Sequence, residues 1–218
     1  MVRRPAPSDD LPAGPPEHGA AVPVPRLIER RYPGGRVQLR HEVFAPDLHR
    51  GAFELGAALS APLGDVAVLC AGGDLESLDD VLFLDTETTG LAGGAGTFVF
   101  LVGLAGFRNG LFEVRQWLLP DPADEEALLD ALEEEARTAR GIVSFHGRGF
   151  DVPRIEERFL LAGRTPPFLD VPHLDLLVGA RRVFRMRAGR VNLQHLERLV
   201  LGTSRLADLP GAECPQAW

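Results

Sequence analysis

The sequence predicts a mixed α/β domain: a five-stranded sheet in which three antiparallel strands come first and βα crossovers follow, with helices on its flanks. Three observations predict it. The apolar run Val81-Leu-Phe-Leu84 stops abruptly at Asp85, the pattern of a buried strand that ends in acid. Two runs rich in Phe, Val and Leu, 97–107 and 111–119, flank Asn109-Gly110, a dipeptide suited to the positive φ of a tight hairpin. Beyond Pro120, helical and strand-like stretches alternate, so the later strands are joined by crossovers.

The elements follow in order. Residues 1–25 are rich in Pro, Ala and Gly, with almost no large apolar side chain before Val22, so they are expected to form a disordered leader. Residues 26–78 read only as an ordered arm or small subdomain. Arg36-Val-Gln-Leu-Arg40 alternates like a half-buried strand, and 53–59 suits a short helix. From residue 79 to 218 the pattern is that of the main domain. After the three leading strands, Pro120-Asp-Pro-Ala-Asp124 opens a helix with acid at its N-terminus, and Leu128, Leu129 and Leu132 share one face of it. That helix is expected to run to about Arg140 and stop at Gly141. A fourth strand covers 141–145 and a helix 152–162. A short strand opens 172–177, and a last helix covers 192–201 before Gly202.

Composition narrows the chemistry. Of 218 residues, 45% are hydrophobic and 25% charged, as in a globular domain with a sizeable core. The formal net charge of −8 argues against a dedicated duplex-DNA binder, but it leaves room for a local basic groove. All 23 Lys-plus-Arg positions are Arg. A P-loop and Schiff-base chemistry both need Lys, so both are excluded. Cys70 and Cys214 belong to no CxxC pattern, which speaks against zinc and for free thiols in a reducing cytoplasm. No targeting or membrane-spanning segment is visible, so the expected location is cytoplasmic.

The chemistry centres on Asp85-Thr-Glu87. Residues i and i+2 of a strand point to one face, which puts two carboxylates side by side with no basic residue between them. Their repulsion is costly unless a cation sits there, and hard divalent ions prefer such oxygen donors. The plainer alternative is a pair of solvated acids at a strand end.

Val81-Leu-Phe-Leu-Asp-Thr-Glu-Thr-Thr-Gly90 resembles the first motif of the DnaQ-like, DEDD-type 3′–5′ exonucleases, which have an RNase H-like fold. The glycine-rich continuation Leu91-Ala-Gly-Gly-Ala-Gly-Thr97, followed by Phe98-Val-Phe-Leu-Val-Gly103, resembles the YprB-like branch. The second family motif is matched by Phe145-His-Gly-Arg-Gly-Phe-Asp151, with His146 where the family usually has Asn. The resemblance implies Asp85, Glu87 and Asp151 as catalytic metal ligands for two Mg²⁺ or Mn²⁺ ions, and hydrolysis of phosphodiester bonds at the 3′ ends of single-stranded nucleic acid. Asp151 could instead be only a helix N-cap. Thr88, Thr89, Gly90 and Leu91 are implied to pack against the terminal nucleotide, with His146 and Phe150 as further substrate contacts.

Arg181, Arg182, Arg185, Arg187 and Arg190 form the densest basic cluster. Arg181 and Arg182 are candidates to track a nucleic-acid backbone, against the alternative of a solvated helix face. Asp175 is a weaker candidate ligand. The family's fourth Asp and its general-base His lie on a late helix after a His-Asn pair. Nothing after Gly202 matches them, so that helix is expected to be missing from this chain. A catalytically inactive nucleic-acid- or protein-binding module is therefore the competing reading. A haloacid-dehalogenase-like phosphatase is disfavoured, since it wants Asp where Glu87 stands and a Lys that is absent.

Overall fold

The computed structural model describes residues 26–73, 75–90, 96–188, 191–205 and 213–218. The expected leader, 1–25, lies outside the described residues. The strands are β1 (Ile28–Tyr32), β2 (Gly35–Phe44), β3 (His49–Arg50), β4 (Phe53–Glu54), β5 (Val81–Thr88), β6 (Val99–Arg108), β7 (Leu111–Leu118), β8 (Gly141–Ser144) and β9 (His173–Asp175). The helices are α1 (Leu63–Cys70), α2 (Glu125–Ala136), α3 (Asp151–Leu161), α4 (Leu176–Ala188), α5 (Leu193–Leu196) and α6 (Cys214–Ala217). A 3-10 turn, Leu55–Ser60, precedes α1.

The main sheet has the order β1-β2-β7-β6-β5-β8-β9. β5, β6 and β7 form an antiparallel meander, whereas β8 runs parallel to both β5 and β9. These are the five expected strands, in an RNase H-like arrangement. The sheet is wider than expected because β1 and β2 pair with each other and extend it through β7; β2 contains the strand read at 36–40, whereas β1 was not expected. The hairpin at Asn109-Gly110 forms as expected, with φ of 50° and 77°.

Two clusters sandwich the sheet. Leu82, Leu84, Val102 and Trp117 pack with Leu128 and Leu132 of α2 and with Ile155 and Phe159 of α3. On the other face Val81 and Val143 pack with Ala67 and Cys70 of α1. Strand parity therefore divides β5: its even-numbered side chains join the α2/α3 core, while Val81, Phe83, Asp85 and Glu87 face the other way.

The helices depart from expectation in three places. α2 ends at Ala136, short of Arg140. α4 is an additional helix that follows β9 without a loop. Gly179 disguises it in the sequence, yet a Cβ there would come within 2.9 Å of Cys70 Sγ, so glycine is what lets α4 lie close to α1. The helix expected over 192–201 is α5 continued as a π-helical turn, Glu197–Leu201, ended by Gly202 at φ 71°.

Candidate active site

Asp85 lies on β5 with its side chain open to solvent on one side. Glu87, two residues on, projects from the same face. Immediately after Glu87 the pairing with β6 slips: Glu87 opposes Leu101 but Thr88 opposes Val99, so Phe100 is an extra residue on β6. Such a bulge bends the strand and re-aims side chains next to it.

Asp151 comes to Asp85 from another element. It is the first residue of α3 and only 5% exposed. Phe150 holds the N-cap position, so Asp151 is not the cap. Instead Thr86, the residue between the two strand acids, donates its hydroxyl to Asp151 Oδ1 at 2.5 Å. The loop before α3 leaves room for this carboxylate only because residue 147 is glycine. A Cβ there would meet Ser144 Oγ at 2.5 Å and Asp151 Oδ2 at 3.1 Å.

The electrostatics are those of clustered negative charge, partly offset by Arg205. Burial pushes the Asp151 carboxyl up from its ordinary range, and the charge of Asp85 adds to this, against the lowering effect of the Thr86 hydrogen bond. Asp85 is also raised by partial desolvation, since it stands among protein atoms although its edge is accessible. The Thr86 backbone N–H and the charge of Arg205 lower it. Arg205 itself forms a forked pair with Glu197 at 2.7 and 2.8 Å. A divalent cation is the kind of group that would relieve the Asp85–Asp151 pair, and their oxygen donors suit a hard ion. Among the described residues, no three His, Cys, Asp or Glu side chains gather closely enough to hold one ion together.

The other predicted residues have identifiable local partners. Thr88 is buried and donates to the Gly90 carbonyl at 3.0 Å. Thr89 clasps Phe98: its N–H donates to the Phe98 carbonyl at 3.0 Å, and its hydroxyl accepts the Phe98 N–H at 2.9 Å. These bonds close the base of the glycine-rich loop. Leu91 lies outside the described residues. Phe150 is half-buried, with the Arg154 guanidinium 5.5 Å from its ring centre. Arg181 is exposed on α4. Arg182 is directed to α1, where its Nη1 donates to the carbonyls of Val68 and Leu69 at 2.9 and 2.7 Å.

Asp175 takes a role that the sequence did not disclose. It is 3% exposed and accepts three backbone N–H groups: His146 at 2.8 Å, Leu177 at 3.0 Å and Arg148 at 3.2 Å. It thereby holds the second motif in place, with His146 exposed at a left-handed φ of 76°. Thr86 was likewise missed as a functional residue. Its only sequence signal is its place between two acids.

A family model described as RNase_H superfamily matches residues 82–218. The chain belongs to the RNase H superfamily. The matched span begins inside β5, just ahead of Asp85, and takes in Asp151 and Asp175. The chain is also 39% identical over 141 residues to the uncharacterized protein YprB of Bacillus subtilis (strain 168), an alignment covering 64% of this chain. The chain spans about a third of that relative's length, 34%. β1, β2 and α1 all precede the superfamily match.

Proposed function

We propose that this domain is a metal-dependent 3′–5′ exonuclease acting on single-stranded nucleic acid. The observation that carries the reading is the Asp85–Asp151 pair, a buried carboxylate of α3 coupled to a solvent-open one of β5, in an RNase H superfamily chain. Such a pair is uncomfortable alone and suited to Mg²⁺ or Mn²⁺. Divalent ions bound there would supply an acidified water and offset charge on the leaving 3′ oxygen. Asp85 and Asp151 would hold the first ion, with Thr86 fixing the Asp151 carboxylate, and Glu87 would contribute to the second. Thr88, Thr89, Gly90 and Leu91 would border the terminal nucleotide, with His146 and Phe150 across from them. Arg181 would face the backbone, more than Arg182, whose guanidinium serves α1. Cys70 and Cys214, neither of them in a disulfide, suit a reducing, cytoplasmic setting.

The test is degradation of 5′-labelled single-stranded DNA and RNA with Mg²⁺ or Mn²⁺. Shortening from the 3′ end is expected, and Asp85→Asn should reduce it by about a thousandfold, the scale of losing one key electrostatic group. Activity without metal, or activity indifferent to Asp85, would overturn the reading.

A second reading is a nucleic-acid- or protein-binding module that has kept the fold without turnover. It is favoured by the absence of a three-ligand cluster among the described residues. Retention of labelled strands without cleavage, unchanged in Asp85→Asn, is its signature.

A further inference from the structure

We propose that the cavity between the β1–β2 hairpin and the end of α2 is a second binding site, for a phosphate group. The cavity measures about 540 Å³. Strand parity builds it. In register, His41 of β2 lies opposite Arg115 of β7, and Leu39 lies opposite Trp117. Arg30 of β1 lies opposite Val37 of the same β2 face. Cross-strand partners share a face, so Arg30, His41, Arg115 and Trp117 all point to the α2 side of the sheet. α2 covers that face only as far as Ala136. Glu134 and Glu135 in its last turn and Thr138 just past its end close one wall, and Arg108, at the end of β6, closes another.

This is not the carboxylate site. Arg115 shares a row with Leu104 and so with Leu84, whereas Asp85 shares its row with Gly103 and Gln116. Asp85 and Glu87 therefore project from the opposite face of the sheet to the cavity, and β5 and β7 are separated by about 10 Å. Arg30, Tyr32 and His41 come from the hairpin that precedes the superfamily match at residue 82. The hairpin thus adds one wall to a cavity whose other residues lie within the matched span.

The wall is short of acceptors. The indole N–H of Trp117, a residue 5% exposed, has no hydrogen-bond partner, and neither does Nε of Arg115, whose side chain is 11% exposed. Both atoms lie beneath the surface, closed to solvent, so they show that this wall holds more donors than the protein's own acceptors satisfy. Charge selects an anion. Four arginines, 30, 31, 108 and 115, line the cavity with Glu134 and Glu135; Arg31 is also paired with Glu29 at 2.7 Å and His41 with Glu113 at 3.3 Å, so the exposed Arg30 is the guanidinium open to an added anion. Glu135 is shared, accepting from Arg115 at 2.7 Å and from Arg108 at 3.2 Å, so one carboxylate stands between two guanidiniums. Glu113 reaches Arg115 only at 3.6 Å. Glu134 is engaged by the Tyr32 hydroxyl at 3.0 Å, and burial with that bond pushes the Tyr32 phenol up to about 12, so it remains a donor. Planar guanidinium forks from three strands suit the several oxygens of a phosphate better than a single carboxylate. The phosphate could belong to a free mononucleotide or to a nucleic-acid strand.

The two tryptophans make the test direct. Trp218→Phe leaves Trp117 as the sole indole, and the Trp218 ring, stacked on Phe100 at 5.1 Å, is replaced by another aromatic. The emission of this variant is titrated with inorganic phosphate, a 5′-mononucleotide and a short single-stranded oligonucleotide without divalent metal. A saturable change is expected with at least one probe, and Arg30→Gln, an exposed substitution, should weaken it by about tenfold, the scale of one charged hydrogen bond. Response to phosphate and mononucleotide assigns a free ligand; response to the oligonucleotide alone assigns a strand. No saturable response to any probe overturns the proposal, as does a response unchanged by both Arg30→Gln and Arg108→Gln.

Discussion

The Thr86 hydroxyl donates to Asp151 Oδ1 across 2.5 Å, and this bond joins the middle of the first acidic motif to the end of the second. Asp85 and Glu87 project from one face of β5, while Thr86 between them turns to the other and meets α3. The strand thus uses both faces. One presents acids to solvent; the other fixes the carboxylate that completes the pair. The Thr86 hydroxyl and the backbone N–H groups of Thr86 and Asp151 favour the ionised carboxyl of Asp151, but burial and the charge of Asp85 outweigh them.

Stability should record that balance. Because the native pKa of Asp151 is raised, the native state holds a proton that the unfolded state releases above about 3.8. Its stabilising contribution is therefore full below the unfolded value and is lost as pH rises through the native one. At neutral pH without divalent metal, Asp151→Asn should be more stable than wild type, since an amide oxygen still accepts from Thr86 and the buried charge is gone. The gap should close on acidification. Urea midpoints at several pH values measure it. A variant less stable than wild type at every pH would contradict this account of the site.

A second bond between elements sets the position of α3. Arg158, 6% exposed, makes a forked pair with Glu125 of α2 at 2.5 and 2.6 Å and lies 4.6 Å from the Phe98 ring centre. Removing one member of a buried pair strands the other charge, so Arg158→Met should cost about 3–5 kcal/mol. Arg158→Met combined with Glu125→Leu should recover much of that loss. Thermal or urea denaturation of the single and double variants checks this, and additive losses would refute the coupling.

The sequence made the core of this arrangement legible and left its supports obscure. Val81-Leu-Phe-Leu84 and Asn109-Gly110 are strong signals because apolar runs and left-handed turns have few alternatives. α4 was hidden by Gly179, whose reason for being there is the neighbouring Cys70 Sγ, a contact no local pattern encodes. β1 is likewise illegible, because its residues Ile28, Glu29, Arg30 and Arg31 are all exposed at a sheet edge and carry no alternation. Asp175 looked like a possible ligand by residue type. Only the fold reveals that its oxygens are taken by the backbone of the second motif.

That backbone is the subject of the last prediction. His146 is held at φ 76°, a conformation that non-glycine residues adopt at a cost of about 1–3 kcal/mol, and its N–H is held by Asp175. The imidazole lies over the following turn: a Cβ on Gly149 would come within 3.1 Å of its Nε2. If the conformation is imposed by Asp175 rather than chosen by His146, glycine should suit the position better than histidine. His146→Gly should then raise stability by up to about 1 kcal/mol, the usual return for relieving a positive φ. His146→Val should lower it, because a β-branched side chain suits that region least. Asp175→Ala should remove acceptors from three buried or half-buried N–H groups and cost about 3 kcal/mol, the upper range for a lost charged acceptor. The decisive comparison is made in the Asp175→Ala background. With the anchor gone, the loop at 146 is free to relax, so the advantage of His146→Gly should shrink there. An advantage of equal size in both backgrounds would show that Asp175 does not impose the conformation.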